Sequence, residues 1–276
     1  MLNQKDIQQQ SEAAWNVWKN KWLDNCRVNK ALKKGKLSDL LDHAKGKVLI
    51  QAAFGYSLSK HIDLLKKYKD KVEVMCCDKA FGYLMENGII PTYCLIADAS
   101  VTIDWIKGQD ISKTILLSNV AANPEWTLNW KGPLYFYVNW DNIGTAHILG
   151  RAADCWEVIP ASSNVSNAQV VLATQILNAD YNLLTGYDYS WEDDGDYYAS
   201  GASPKKDYMH HADMISPYGY LAKTSSNLMF SCNWLAQYLM KFNTLKVINC
   251  SERGILAIDR RMPLEAAIQT FALGRV

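Results

Sequence analysis

Residues 158–190, VIPASSNVSNAQVVLATQILNADYNLLTGYDYS, constrain the fold more than any other stretch. They read as a strand, a small-polar turn, a helix with apolar Val170, Val171, Ala173, Ile176 and Leu177, and a second strand over 181–184 that ends in Gly186-Tyr187-Asp188-Tyr189. That is a βαβ unit. A right-handed crossover sets its strands parallel, and parallel sheets bind ligands just outside the strands' carboxyl ends. Ser162, Ser163, Asn164, Ser166 and Asp188 are therefore expected to face one crevice. The first turn also opens a helix whose free N–H groups and dipole favour a phosphate. Small polar residues there serve equally well as plain helix caps, and spacing alone does not separate the two uses.

The same logic recurs upstream. Residues 48–53 form an apolar strand followed by Phe54-Gly55-Tyr56-Ser57 and a helix over 58–68; a strand over 72–77 ends at Asp78, and one over 93–97 ends at Asp98. Strands over 114–118 and 134–138 are followed by Asn119 and Asn139. A glycine and a serine at one turn are commonplace. Several successive strands ending in a polar residue are better evidence for a shared crevice. The fold class that follows is α/β: a Rossmann-like, mostly parallel sheet flanked by helices, a single domain over 46–276.

Residues 1–45 read as a helical segment with Trp15, Trp18 and Trp22 at helical spacing and many lysines. An amphipathic helix packing its tryptophans on the body is the plain reading; a basic, aromatic surface for DNA, or a dimer face, are the alternatives. Residues 191–222 are rich in Gly, Asp, Tyr, Ser and Pro without periodicity, as expected of a lid insertion. A helix over 223–242, a strand over 247–250 and a helix over 264–273 complete the chain.

With 276 residues and 21% charged side chains the composition is that of a globular protein. No apolar run approaches the roughly 20 residues of a membrane span, and the N-terminus is polar, so a cytoplasmic location without a signal peptide is expected. Seven cysteines, mostly inside apolar runs, suit a reducing compartment and show no paired zinc spacing. A net charge of +1 gives no global attraction to nucleic acid. Ten tryptophans and fifteen tyrosines offer aromatic surface for stacking on sugars or bases.

Taken in order, the motifs resemble a known family. Phe54-Gly55-Tyr56-Ser57-Leu58 is similar to the G-P-S-L turn of the motility-associated factor family, which includes flagellin glycosyltransferases and the MptE-like archaeal hydroxymethylpterin pyrophosphokinase. Residues 84–91, LMENGIIP, followed by Asp98, resemble its L-x-x-x-G-I-x-P…D signature, and residues 247–252 with Gly254 its I-N-x-[TS]-E-x-G motif. Gly186-Tyr187-Asp188-Tyr189 resembles the G-x-D-[FY] strand tip of the related bacterial CMP-sialic-acid-using sialyltransferases. Tyr56 stands where the family has proline, Asn164 where it has glycine, and Asp78 where the sialyltransferases read the nucleotide with asparagine.

The resemblance implies a glycosyltransferase that moves a sugar from a nucleotide-sugar donor to an acceptor hydroxyl on a glycan, a protein or a hydroxymethylated DNA base. A freestanding tailoring enzyme, of a phage for example, matches the small size. The implied donor site is Gly55, Tyr56, Ser57, Asp78, Asp98, Ser162, Ser163, Asn164, Gly186 and Asp188. The implied catalytic groups are Tyr189, Tyr197 and Tyr198, donating hydrogen bonds to the leaving phosphate, and His210 or His211 as general base, with His147 an outside candidate and His43 and His61 surface residues. No resident cofactor or dedicated metal ligand is implied, though carboxylates such as Asp98 and Asp188 could hold Mg²⁺ with a diphosphate. The alternatives are an ATP-dependent pterin diphosphotransferase, or a non-catalytic nucleotide-binding module.

Overall fold

The computed structural model describes residues 4–140, 143–160, 164–191, 197–201, 211–242 and 244–274. Its strands are β1 (Val48–Ala52), β2 (Glu73–Cys77), β3 (Tyr93–Ile96), β4 (Ile115–Asn119), β5 (Leu134–Asn139), β6 (Val158–Ile159), β7 (Tyr181–Thr185), a separate antiparallel hairpin of β8 (His211–Ile215) and β9 (Leu221–Ser225), and β10 (Val247–Asn249). Its helices are α1 (Gln4–Lys30), α2 (Ser57–Tyr68), α3 (Asp78–Glu86), α4 (Pro124–Asn129), α5 (Ile143–Ala153), α6 (Val165–Gln175), α7 (Ser226–Lys241) and α8 (Leu264–Phe271).

The main sheet runs in the order β10-β7-β1-β2-β3-β4-β5-β6, and its neighbouring strands pair in parallel. β1 and β7 read VLIQA and YNLLT with almost no alternation because both faces of the sheet are covered. Leu58, Ile62 and Leu65 of α2, Phe81 and Leu84 of α3, and Leu264 and Ile268 of α8 belong to one core cluster. Val170, Val171 and Leu172 of α6 with Leu228 and Leu235 of α7 belong to another.

The βαβ stretch folds with its strands parallel, but they are not neighbours: β6 lies at the sheet edge and β1 to β5 separate it from β7. Helix α6 makes the long return, touching β1, β2, β3, β6 and β7, and is buried without a break from Ser166 to Ala173. Its all-round burial explains why its sequence is apolar on several faces rather than along one stripe.

The β8–β9 hairpin was not legible as strands within 191–222. Of β9 only Ala222, Thr224 and Ser225 are buried, so little apolar alternation marks the pair. Ser225 accepts a hydrogen bond from the Leu228 N–H and starts α7 there, three residues later than the sequence pattern suggests. Among the described residues no helix is long and apolar enough to cross a membrane. All seven cysteines are buried free thiols.

Candidate active site

Adjacent strands β1 and β7 send the chain in opposite directions, toward β2 and toward β10, which makes a topological switch point at their carboxyl ends. The turns that follow them are fastened to each other. Gly55 N–H donates to Gly186 O (3.0 Å), Gly186 N–H to Ser57 Oγ (3.2 Å), and Ser57 N–H to Asp188 Oδ2 (2.8 Å). A Cβ on Gly55 would sit 2.4 Å from Asp188 Oδ2, so only glycine fits. The turn after β10 joins them: Tyr187 N–H donates to Ser251 Oγ and Ile255 N–H to Asp188 O.

This frame alters one expectation. Asp188 itself occupies the anion position at the start of α2, and the N–H groups of Gly55, Ser57 and Leu58 are donated within the protein. Gly55, Gly186 and Asp188 thus form the crevice floor, rather than the Gly55–Ser57 amides cradling a phosphate. Tyr56, between Gly55 and Ser57 in sequence, is buried with its hydroxyl 3.2 Å from that of Tyr220 and is not among the residues that line the cavity.

Above the floor lies a cavity of about 500 Å³, within the range of small-molecule sites. The polar ends of successive strands converge on it as the sequence suggests: Asp78 after β2, Asp98 after β3, Asn119 ending β4 and Asn139 ending β5. Asp98 Oδ1 accepts from Ser100 N–H and Oγ, which fixes its orientation. Asn164 caps α6, accepting from Ser166 N–H (2.9 Å) and Ser166 Oγ (2.6 Å), so the capping use is realised at a position that also lines the cavity.

Lys79 is the residue the sequence did not reveal. It lines the cavity and donates to the Tyr198 hydroxyl at 3.1 Å. Burial works against its ammonium, but Tyr198, Asp78 and Asp98 more than offset it, and its pKa is raised. Burial likewise lifts the Asp78 carboxyl, opposed by the Lys79 charge and N–H and reinforced by Asp98, to about 6. A carboxyl that titrates near neutrality beside a cation in a cleft is suited to accept a proton. Tyr198 stacks on Phe54 (5.2 Å, 22°) and meets Tyr197 edge-on at 4.7 Å. Residues 197–201, which bear them, are attached to the floor by a bridge between Gly55 and Tyr198.

Tyr189 also lines the cavity. Its backbone is left-handed (φ 52°) and its hydroxyl, buried, donates to Asn167 Oδ1 at 2.6 Å. His61 is not a surface residue. It is 5% exposed, with Nδ1 2.6 Å from Thr185 Oγ1 and Nε2 3.4 Å from Glu252 Oε1, and burial lowers its pKa against the pull of Glu252. His43 and His147 are exposed. His211 opens β8, while Ser162, Ser163 and His210 lie outside the described residues.

The remaining wall is α1, through Ser11, Ala14, Trp18 and Trp22. Two buried asparagines fasten it. Asn25 Nδ2 donates to Ala99 O and Ala121 O, and Asn29 Nδ2 to Val120 O and Ala122 O, all in the loops after β3 and β4. Helical spacing identifies the tryptophans; nothing local in the sequence says that they meet the strand ends.

A family model described as 6-hydroxymethylpterin diphosphokinase MptE-like matches residues 20–194. Among solved structures, a MAf glycosyltransferase from Magnetospirillum magneticum AMB-1 is similar with a TM-score of 0.67 at 13% sequence identity, over 92% of this chain and 42% of that one. The chain spans less than half of the length of that protein, and at this identity the likeness is one of fold. No curated protein matches. The matched region holds the strand ends from β1 to β7, with Asp78, Lys79, Asp98 and Asp188, and covers more than half of the sequence: the chain belongs to the MptE-like family.

Proposed function

We propose that this protein is a nucleotide-sugar-dependent glycosyltransferase that moves a sugar to an acceptor hydroxyl. The observation that carries the reading is Lys79, a cation held in the switch-point crevice beside two carboxylates and a tyrosine hydroxyl. Sugar transfer requires a cradle for the nucleotide, charge stabilisation at the leaving phosphate and a base for the acceptor. Lys79 meets the leaving phosphate, with Tyr198 and Tyr197 beside it. The face of the Phe54–Tyr198 stack and the start of α6 at Asn164 and Ser166 hold the nucleotide, and Asp98 takes a ribose hydroxyl. Asp78 accepts the acceptor proton; His210 or His211, the base that the family resemblance implies, is the alternative.

The reaction needs no resident cofactor. Among the described residues no cluster of three His, Cys, Asp or Glu side chains could enclose a metal. The residues present fit Mg²⁺ only as a partner of phosphate: Asp98 would hold it, with its other ligands drawn from phosphate and water. It would then supply further charge at the leaving group.

A second reading, transfer of diphosphate from ATP to a pterin alcohol, is favoured by the family's description and uses the same Lys79 and carboxylates. A thermal-shift screen against UDP-, GDP-, CMP- and ADP-linked sugars and ATP, each with Mg²⁺ and with EDTA, separates the two. A ligand well above its Kd stabilises by roughly 2–4 kcal/mol. Stabilisation by one nucleotide sugar, retained in part in EDTA, is the expected result; a response to ATP alone that disappears in EDTA sinks it.

A further inference from the structure

We propose that α1 is the acceptor platform and that the acceptor is a neutral glycan whose terminal pyranose ring stacks on Trp18. Ser11, Ala14, Trp18 and Trp22 recur at helical spacing and all four line the cavity. Ala14 and Ser11 are small enough to leave room beside the indoles. Trp22 is held from behind by Trp15, whose ring is 6.2 Å away and tilted by 45°, and Trp15 and Trp22 both pack on the core under α5. Trp18 is 39% exposed and lines the cavity.

The charge on the walls selects the kind of acceptor. The lining residues that α1 supplies, Ser11, Ala14, Trp18 and Trp22, carry no charge, and Lys79, the cation among the described lining residues, is taken by the donor's phosphate, so this wall offers a polyanionic acceptor no counter-charge. The exposed Lys19, Lys21 and Lys30 of α1 are not in the lining, which leaves the basic character of this helix outside the cavity. Beside the tryptophans stand the amides of Asn119 and Asn139 and the hydroxyl of Thr145, groups that both donate to and accept from sugar hydroxyls while an indole covers the apolar ring face.

The acceptor role rests on the glycosyltransferase reading; the binding surface does not. The test is saturation-transfer NMR of the full chain with maltotriose, cellotriose, N,N′,N″-triacetylchitotriose and a short single-stranded oligodeoxynucleotide, on the wild type, W18A and W18F, with nucleotide binding followed in parallel by thermal shift. The expected result is binding of at least one trisaccharide through ring protons, with a Kd about tenfold higher in W18A, near wild type in W18F, and the nucleotide response unchanged in both. Equal trisaccharide binding by W18A, binding of the oligodeoxynucleotide alone, or binding of none of the three trisaccharides overturns the proposal. Nucleotide binding without trisaccharide binding rejects the platform and leaves the donor reading standing; the reverse does the opposite.

Discussion

Asp78 is where position and ionisation pull against each other. Its carboxyl is 4% exposed and its pKa is raised to about 6, so the folded state holds a proton that the unfolded chain, near pH 3.8, has released. A raised carboxyl pKa removes stability as pH climbs through that window, and the loss is complete, at about 3 kcal/mol, above pH 6. Asp78→Asn should therefore gain on the wild type between pH 4 and pH 7 in parallel urea titrations; a flat difference would show that the carboxyl is not perturbed. The same variant should lose about 10²–10⁴ in kcat with the acidic limb of its pH profile, while an H210N/H211N double variant keeps that limb. Strand-end logic alone points to Asp78, because a polar residue after a buried strand is visible in sequence. Lys79 was not legible for a physical reason: a lysine beside an aspartate reads as solvated, and only the fold shows that Tyr198, 119 residues away, accepts its hydrogen bond.

Among the elements, the turn after β7 makes the switch point rigid. Gly186 has φ +73°, and a Cβ there would lie 2.2 Å from Ala53 O, which is backbone and cannot give way. Gly46 has a similar φ of +79° and nothing near its Cβ. Gly46→Ala should then cost about 1 kcal/mol for the dihedral alone, and Gly186→Ala about 3 kcal/mol or more, in denaturant titrations at one pH. Equal losses would mean that the contact with Ala53 relaxes freely. The strands of the sheet and helices α2, α6, α7 and α8 were legible because buried parallel strands announce themselves as short apolar runs and helices by their period, whereas the short α4 and α5 were not read from the sequence. Strand adjacency was not, since the return of α6 across the sheet depends on contacts far apart in sequence. The β8–β9 hairpin was hidden by its polar, half-exposed strands.

At the scale of the molecule, α1 is part of the body rather than an appendage, whatever its early place in the chain. Asn29 is 1% exposed, spans Val120 O and Ala122 O, and accepts from Thr127 Oγ1. Asn29→Ala leaves those buried groups without partners and should cost roughly 2–4 kcal/mol. Limited proteolysis should then cut within α1 before the sheet; uncut α1 in that variant would show that the tryptophan packing alone holds the helix. An asparagine inside an amphipathic helix looks like a neutral surface choice, so this anchoring was not legible in sequence. A last consequence belongs to the pairing of β1 with β7, whose first register partners are Val48 and Tyr181. During synthesis β1 is complete long before β7 leaves the ribosome, and for that interval an interior strand of the finished sheet is an open edge of unpaired backbone. The floor of the crevice is thus also an aggregation-exposed seam, sealed only when β7, at residues 181–185 of 276, has been made.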